Sequence, residues 1–262
     1  MLNFALNHMT VPSLNLQHFA ALALDLDMVG VELRNDLARP LFDGGQPAQI
    51  AHLEICAVAE VKAFNDFDTR TMRAAVALMD QAATAGANAI ALIPKVGGDS
   101  VPADGLRTAM TALGPELARR GLCGLIEPIG FANSSLRYKS DVAALIDALE
   151  VGRHFGLIHD TFHHALSCED AFYPDYTKVV HISGVTKKTG AVTDLNDAHR
   201  VLVDANDRLG NVHQIGALLS GGYNGPLSFE AFSPDIHALT DPKAALLRSI
   251  HFIENAVLTQ AA

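Results

Sequence analysis

The 262-residue chain is short of charge and of cysteine. Only 18% of its residues are charged, against 49% hydrophobic, which excludes a disordered, solvated chain and leaves one able to bury a large core. Cys56, Cys123 and Cys168 are odd in number, far apart and form no CxxC pair. They give no disulfide framework and read as buried, reduced thiols of a cytoplasmic protein. No apolar run reaches the ~18 residues that a membrane helix needs. The opening MLNFALNHMT lacks the basic and long apolar regions of a signal peptide and reads as a first strand. Neither GxxxxGK nor GxGxxG occurs, and the pairs Gly97–Gly98 and Gly221–Gly222 are too little to cradle a phosphate. A dense Lys/Arg run is missing as well, and with a net charge of −10 the surface repels a nucleic-acid backbone. What remains is a small, neutral partner such as a polyol or keto-sugar.

Apolar runs of strand length alternate with longer amphipathic stretches, the pattern of βα units on a parallel sheet. Strands are expected near 3–7, 28–34, 54–60, 88–94, 122–128, 155–160, 178–183 and 227–232. Eight of them favour a closed (β/α)8 TIM barrel, an α/β fold, over an open sheet. Helices are expected after Ser13, after an Asp68 or Thr69 cap with a stop at Gly86, from Pro102 to near Gly121, and from the Asp241–Pro242 pair. With neither a linker nor a repeat longer than the βα unit, residues 1–262 are expected to form a single domain. The polar stretches 35–53 and 184–210 follow strands, so in a barrel both lie on the catalytic face, the longer one covering substrate.

Four of the apolar runs end on groups that are costly to bury unless paired or coordinated: Glu127 in GLIEPIG, Asp160 in GLIHD, His181 in VVHISG and Glu230 in PLSFEAF. Closing the sheet brings them together. Three carboxylates and one imidazole, with no thiolate, form a site for one divalent cation: manganese, magnesium or cobalt ahead of zinc. The surplus negative charge leaves one carboxylate free to accept a proton. His163 follows Asp160 by one helical turn and can hold a substrate oxygen, while His159 and His164 are read as structural. Glu32 and Arg34 end the second strand, where they bind hydroxyls or pair with each other. Lys95 ends the fourth and suits an oxyanion, and Arg200 offers a fork of donors from the long loop.

With LIEPIG, LIHDTFHH, VVHISG and LSFEAF in place, the chain resembles the xylose-isomerase-like TIM-barrel superfamily of sugar isomerases and epimerases over essentially its whole length. The LNHMT start, VELRNDL and AHRVLVD look most like inosose (2-keto-myo-inositol) isomerases of inositol catabolism. The resemblance implies that Glu127, Asp160, His181 and Glu230 ligate one metal, that Glu127 and Glu230 flank the reacting carbons, and that His163 and Arg200 bind substrate oxygens. ANDRLGN stands where relatives often carry a Pro-Gly-x-Gly stretch, so Arg208 competes with Arg200 for its role. The implied reaction moves a ketone along a polyhydroxy ketose or inosose through a cis-enediolate, with Glu127 or Glu230 taking the proton. Alternatives on the same site are an inosose dehydratase, a ketose 3-epimerase and a hydroxypyruvate isomerase. A non-catalytic sugar-binding protein is another. An apurinic-site endonuclease needs histidines on the second and third strands, where this chain has Glu32 and Glu60. Relatives often pair or form tetramers, so a homo-oligomer is a further expectation.

Overall fold

A computed structural model describes residues 1–50, 52–188 and 190–260. Among these, eight parallel strands close into a barrel in chain order: β1 (Phe4–Asn7), β2 (Gly30–Arg34), β3 (Glu54–Lys62), β4 (Ala89–Ile93), β5 (Cys123–Ile126), β6 (Phe155–Asp160), β7 (Thr177–Ile182) and β8 (Leu227–Phe229). Closure is made by β1 on β8, with Ala5 opposite Ser228. The expected α/β barrel is therefore the fold. Around it run α1 (Leu16–Asp25), α2 (Thr69–Ala85), α3 (Gly105–Arg120), α4 (Lys139–Leu149), α5 (Thr161–Ser167), α6 (Asn211–Ser220), α7 (Pro234–His237) and α8 (Pro242–Gln260).

The helix ends follow local chemistry. Asp68 caps α2 by accepting from the N–H groups of Arg70 and Thr71, and Gly86 closes it in the left-handed conformation. Asp241 accepts from the Ala244 N–H at the start of α8. Two starts fall later than expected. Asn15 caps α1 through the His18 N–H, two residues past Ser13. Helix α3 begins at Gly105, because the turn in which Gly105 N–H donates to the Pro102 carbonyl precedes it.

The core has two layers. Large aliphatic and aromatic side chains such as Phe19, Met79, Leu117 and Phe155 fill the space between strands and helices. Inside the barrel the cluster is mostly alanine (Ala5, Ala57, Ala59, Ala89 and Ala91), completed by Cys56, Leu125, Ile158 and Val179. Side chains two apart on a strand share a face. Asn7, Glu127, Asp160 and His181 therefore stand one layer above Ala5, Leu125, Ile158 and Val179, at the C-terminal mouth of the barrel. The same alternation stacks Glu230 over Ser228, and Arg34 over Glu32 over Gly30.

The loop after β2 contains a 3₁₀ turn at Leu41–Gly44, and the loop after β7 contains two, at Val192–Asp194 and Asp197–His199. Ala51 and Thr189, within the two stretches expected to face substrate, lie outside the described residues. One expectation about the thiols is corrected: only Cys56 is buried, Cys123 is partly covered and Cys168 is exposed, because Cys168 terminates α5 with a positive φ at the surface. Among the described residues no helix is long and apolar enough to cross a membrane.

Candidate metal centre

Glu127 and Glu230 each lie one residue beyond a short strand, Asp160 is the last residue of β6, and His181 lies within β7. All four are buried, and one ligand atom of each falls within 4.8 Å of the others. His181 organises the group. Its Nε2 is 3.1 Å from Glu32 Oε2. Its Nδ1 is buried without a hydrogen-bond partner among the described residues. That nitrogen faces Glu230 Oε2 at 3.1 Å, Glu127 Oε1 at 3.5 Å and Asp160 Oδ2 at 3.8 Å.

A divalent cation bonded at about 2.0–2.2 Å leaves adjacent ligand atoms ~3 Å and opposite ones ~4 Å apart, close to the spread found here. The donor set also fits by charge. Glu32, Glu127, Asp160 and Glu230 bring four buried carboxylates against the guanidiniums of Arg34 and Arg200. A dication neutralises that surplus.

The two arginines hold the rim. Arg200 is 1% exposed; one of its nitrogens donates to Asp160 Oδ2 at 2.5 Å and to Glu230 Oε2 at 2.8 Å, and Nε donates to Ser183 Oγ at 3.0 Å. The rings of Phe162 and Phe232 lie 5.1 and 4.5 Å from its guanidinium carbon. Arg34 donates to the other Glu230 oxygen at 2.6 Å and to both oxygens of Asp36 at 2.8 Å. Burial works against charge on both arginines, but the facing carboxylates hold their pKa values above the usual range.

The carboxylates are driven apart. Burial lifts Glu127, His181 opposes that lift, and Glu230 and Asp160 add to it, leaving Glu127 at about 7. Burial would raise Glu230 too, yet His181, Arg200 and Arg34 hold it well below the usual carboxylate range. His181 is disfavoured as a cation by burial, but Glu230, Glu32 and Glu127 lift it well above its ordinary value. Without a metal ion the cluster favours protonation of His181 and Glu127, so coordination by these residues is coupled to proton release.

Above the cluster lies a cavity of about 290 Å³ whose walls include Arg34, Glu127, His163, Arg200, Glu230 and Phe232. His163 stands in the first turn of α5, its backbone N–H donating to Asp160 Oδ1 at 2.9 Å. Its Nδ1 is buried and unpartnered among the described residues, and burial lowers its pKa below the ordinary histidine value. Two other candidates are placed differently. Glu32 is wholly buried beneath the cavity and pairs with His181, not with Arg34. Lys95 is turned away onto Asp66 at 2.6 Å and lines a neighbouring cavity. Arg208 is bound to the main-chain oxygens of Lys187 and Gly190 and does not line the cavity. His159 and His164 sit outside it, on Gln214 and Lys139 respectively.

Several participants escaped the sequence reading. Asn7 donates towards both Glu32 at 3.4 Å and Glu230 at 3.3 Å. Asp36, Glu60, Lys62 and Asp197 join the cavity wall, as does Phe131. Asn7 alone had a signal, an amide at the end of a strand already placed beside β2 and β8. The others lie in loops or near the end of β3, where nothing in the local sequence marks them as facing the cavity.

A family model described as xylose isomerase-like TIM barrel matches residues 51–256. Among solved structures, a xylose isomerase domain containing protein from Salmonella typhimurium LT2 is 30% identical with a TM-score of 0.89, covering 96% of this chain and 97% of that one. The IolI protein with a bound zinc atom is 17% identical with a TM-score of 0.79, covering 98% of each chain. An L-ribulose 3-epimerase is also 17% identical, with a TM-score of 0.71, covering 99% of this chain and 95% of that one. The IolI protein therefore stands no nearer in sequence than the epimerase. No curated protein sequence matches the chain significantly.

Proposed function

The chain belongs to the xylose isomerase-like TIM barrel family, and we propose that it is a metal-dependent isomerase or epimerase of a polyhydroxy ketose or inosose. The observation that carries this reading is the buried Glu127–Asp160–His181–Glu230 cluster beneath a cavity large enough for one sugar-sized ring. The zinc of the IolI structure and the activity named for the L-ribulose 3-epimerase support it.

A dication held by Glu127, Asp160, His181 and Glu230 supplies Lewis-acid polarisation of a ketone and its neighbouring hydroxyl, which acidifies the intervening C–H. The remaining work falls to side chains. Glu127 and Glu230, facing the same cavity beside His181, are the candidates to take the α-proton and return one. Arg34 and Arg200 fix both oxygens of Glu230, so its angle to the substrate is set before binding. His163, which lines the cavity, is the candidate to hold a substrate hydroxyl. Phe131 and Phe232 give the cavity apolar faces for the C–H side of a sugar ring. Proton return to the opposite face of the same carbon gives an epimer, and return to the neighbouring carbon, with the hydroxyl proton passing to the former ketone oxygen, moves the ketone.

The test is NMR of inososes and ketoses incubated with the metal-loaded protein in D₂O. The α-proton of one of them should exchange, and Glu230→Gln should stop the exchange while metal binding remains partly intact. Exchange undiminished in that variant overturns the assignment of Glu230.

A further inference from the structure

Beside the first cavity, on the same face of the barrel, lies a second one of about 580 Å³. It is walled by the loop between β4 and α3 and the loop between β5 and α4, with Asn65 reaching in from the loop after β3. The partition is one residue thick on each loop. Val96 and Phe131 line the first cavity, while their chain neighbours Lys95, Gly97 and Ala132 line the second.

This partition is built rather than accidental. Gly97 N–H donates to the Asn133 carbonyl at 2.8 Å and Ser135 N–H donates to the Lys95 carbonyl at 2.9 Å. The Asn65 amide donates to Ser135 Oγ at 2.9 Å and accepts from the Lys95 N–H at 2.9 Å. Val96 tops the partition with 43% of its surface exposed, an apolar saddle between two polar basins.

The lining identifies the chemistry. Asn133 and Ser100 offer donors and acceptors, Asp99 and Asp141 offer acceptors, and Pro102 and Leu106 offer apolar surface. The one cation, Lys95, is already neutralised by Asp66. A phosphate would find no surplus positive charge here, whereas a neutral polyhydroxylated ring finds both its edges and its faces matched.

We propose that the second cavity binds a glycosyl unit attached to the reacting ketose, its linkage crossing Val96, so that the substrate class is a keto-glycoside and not a free monosaccharide. This rests on reading the first cavity as a ketose site. It also gives Lys95 and the Gly97–Gly98 turn a place in recognition that the first cavity does not.

Saturation-transfer NMR with unreactive probes tests it apart from turnover. Methyl cellobioside and methyl maltoside are compared with methyl glucoside on the metal-loaded protein. At least one disaccharide should receive saturation on both rings and bind more tightly than the monosaccharide. Ala132→Trp and Ala103→Trp, at two exposed positions on opposite walls, should each weaken that disaccharide about tenfold while leaving methyl glucoside within about twofold, the ~1.4 kcal/mol per decade of a lost subsite. If neither disaccharide exceeds the monosaccharide, or if both tryptophan variants affect both probes alike, the proposal is overturned. The contrast surviving without α-proton exchange on any free ketose or any keto-glycoside sinks the catalytic reading alone; exchange on free ketoses without the contrast sinks the second site alone.

Discussion

Glu32 and His181, 149 residues apart in sequence, meet inside the barrel at 3.1 Å, with neither side chain exposed to solvent. The carboxylate fixes which imidazole nitrogen carries the proton and turns Nδ1 towards the three acids. Orienting partners of this kind typically govern metal affinity about 10–100-fold. Glu32→Gln should therefore keep the fold and lower metal affinity by about that factor, read by competition with a chromogenic chelator. Unchanged affinity would mean that the His181 ring is held by packing alone.

Protonation supplies a second expectation. The acid Glu127, raised to about 7 by burial, binds a proton in the folded state that it lacks when unfolded. Its effect on metal-free stability is therefore favourable at low pH and is lost as pH rises from ~4.5, its unfolded value, to about 7. His181, raised above its ordinary value by the surrounding carboxylates, acts in the same sense above ~6.5. Glu230, held low, contributes above ~4.5 and is lost below it. Metal displaces the protons on Glu127 and His181, so the rise in melting temperature on adding metal should be larger at pH 8 than at pH 5. Calorimetric titration in buffers of different ionisation enthalpy should show proton release near neutral pH. A pH-independent rise with no proton release would contradict this.

How much of this was legible in the chain depended on strand periodicity. The four ligand candidates could be found because each terminates an apolar run, and a closed parallel barrel leaves such residues nowhere else to go. Depth within the barrel was hidden. Glu32 and Arg34 share a face of β2, but two residues are about 6.6 Å along a strand. That places Glu32 beside His181 beneath the cavity and Arg34 at its mouth on Glu230. No pattern in VELR distinguishes them. The direction of Lys95 was hidden for a similar reason: its position after β4 is on the catalytic face, but Asp66, in a different loop, pairs with its ammonium group. The reach of Arg200 into the cluster depends on a long loop whose folding no local signal sets, including the clamp of Phe162 and Phe232 around it.

Removing that arginine should be felt first in the metal-free protein. Arg200→Met leaves Asp160 and Glu230 buried without their shared partner, and breaking such a pair typically costs about 3–5 kcal/mol. Urea denaturation in chelator should show a loss of that order, and saturating metal should recover part of it. Arg200→Lys should recover less than the wild-type stability, since an ammonium cannot keep the guanidinium's forked donors to Asp160, Glu230 and Ser183. Equal stability of wild type and Arg200→Met would show that the carboxylates are satisfied by water.

Gly130 links the loop after β5 to the substrate cavity by close approach. A Cβ there would lie 2.8 Å from Leu166 Cβ and also overlap the His163 carbonyl. Gly130→Ala must push α5 outwards, with an overpacking cost of about 1–3 kcal/mol. Because α5 carries His163 but the ligand Asp160 belongs to β6, KM should rise while metal content holds. Loss of metal with an unaltered KM would place the strain elsewhere.

The most direct measurement is metal content per chain. After purification without chelator and incubation with manganese, cobalt or zinc followed by gel filtration, inductively coupled plasma mass spectrometry should find close to one divalent ion per chain in the wild type and a small fraction of that in His181→Ala and in Asp160→Asn. A wild type that retains no divalent ion from any of these, at a pH where Glu127 and His181 can release their protons, would contradict the metal centre and leave the cluster a buried salt-bridge network.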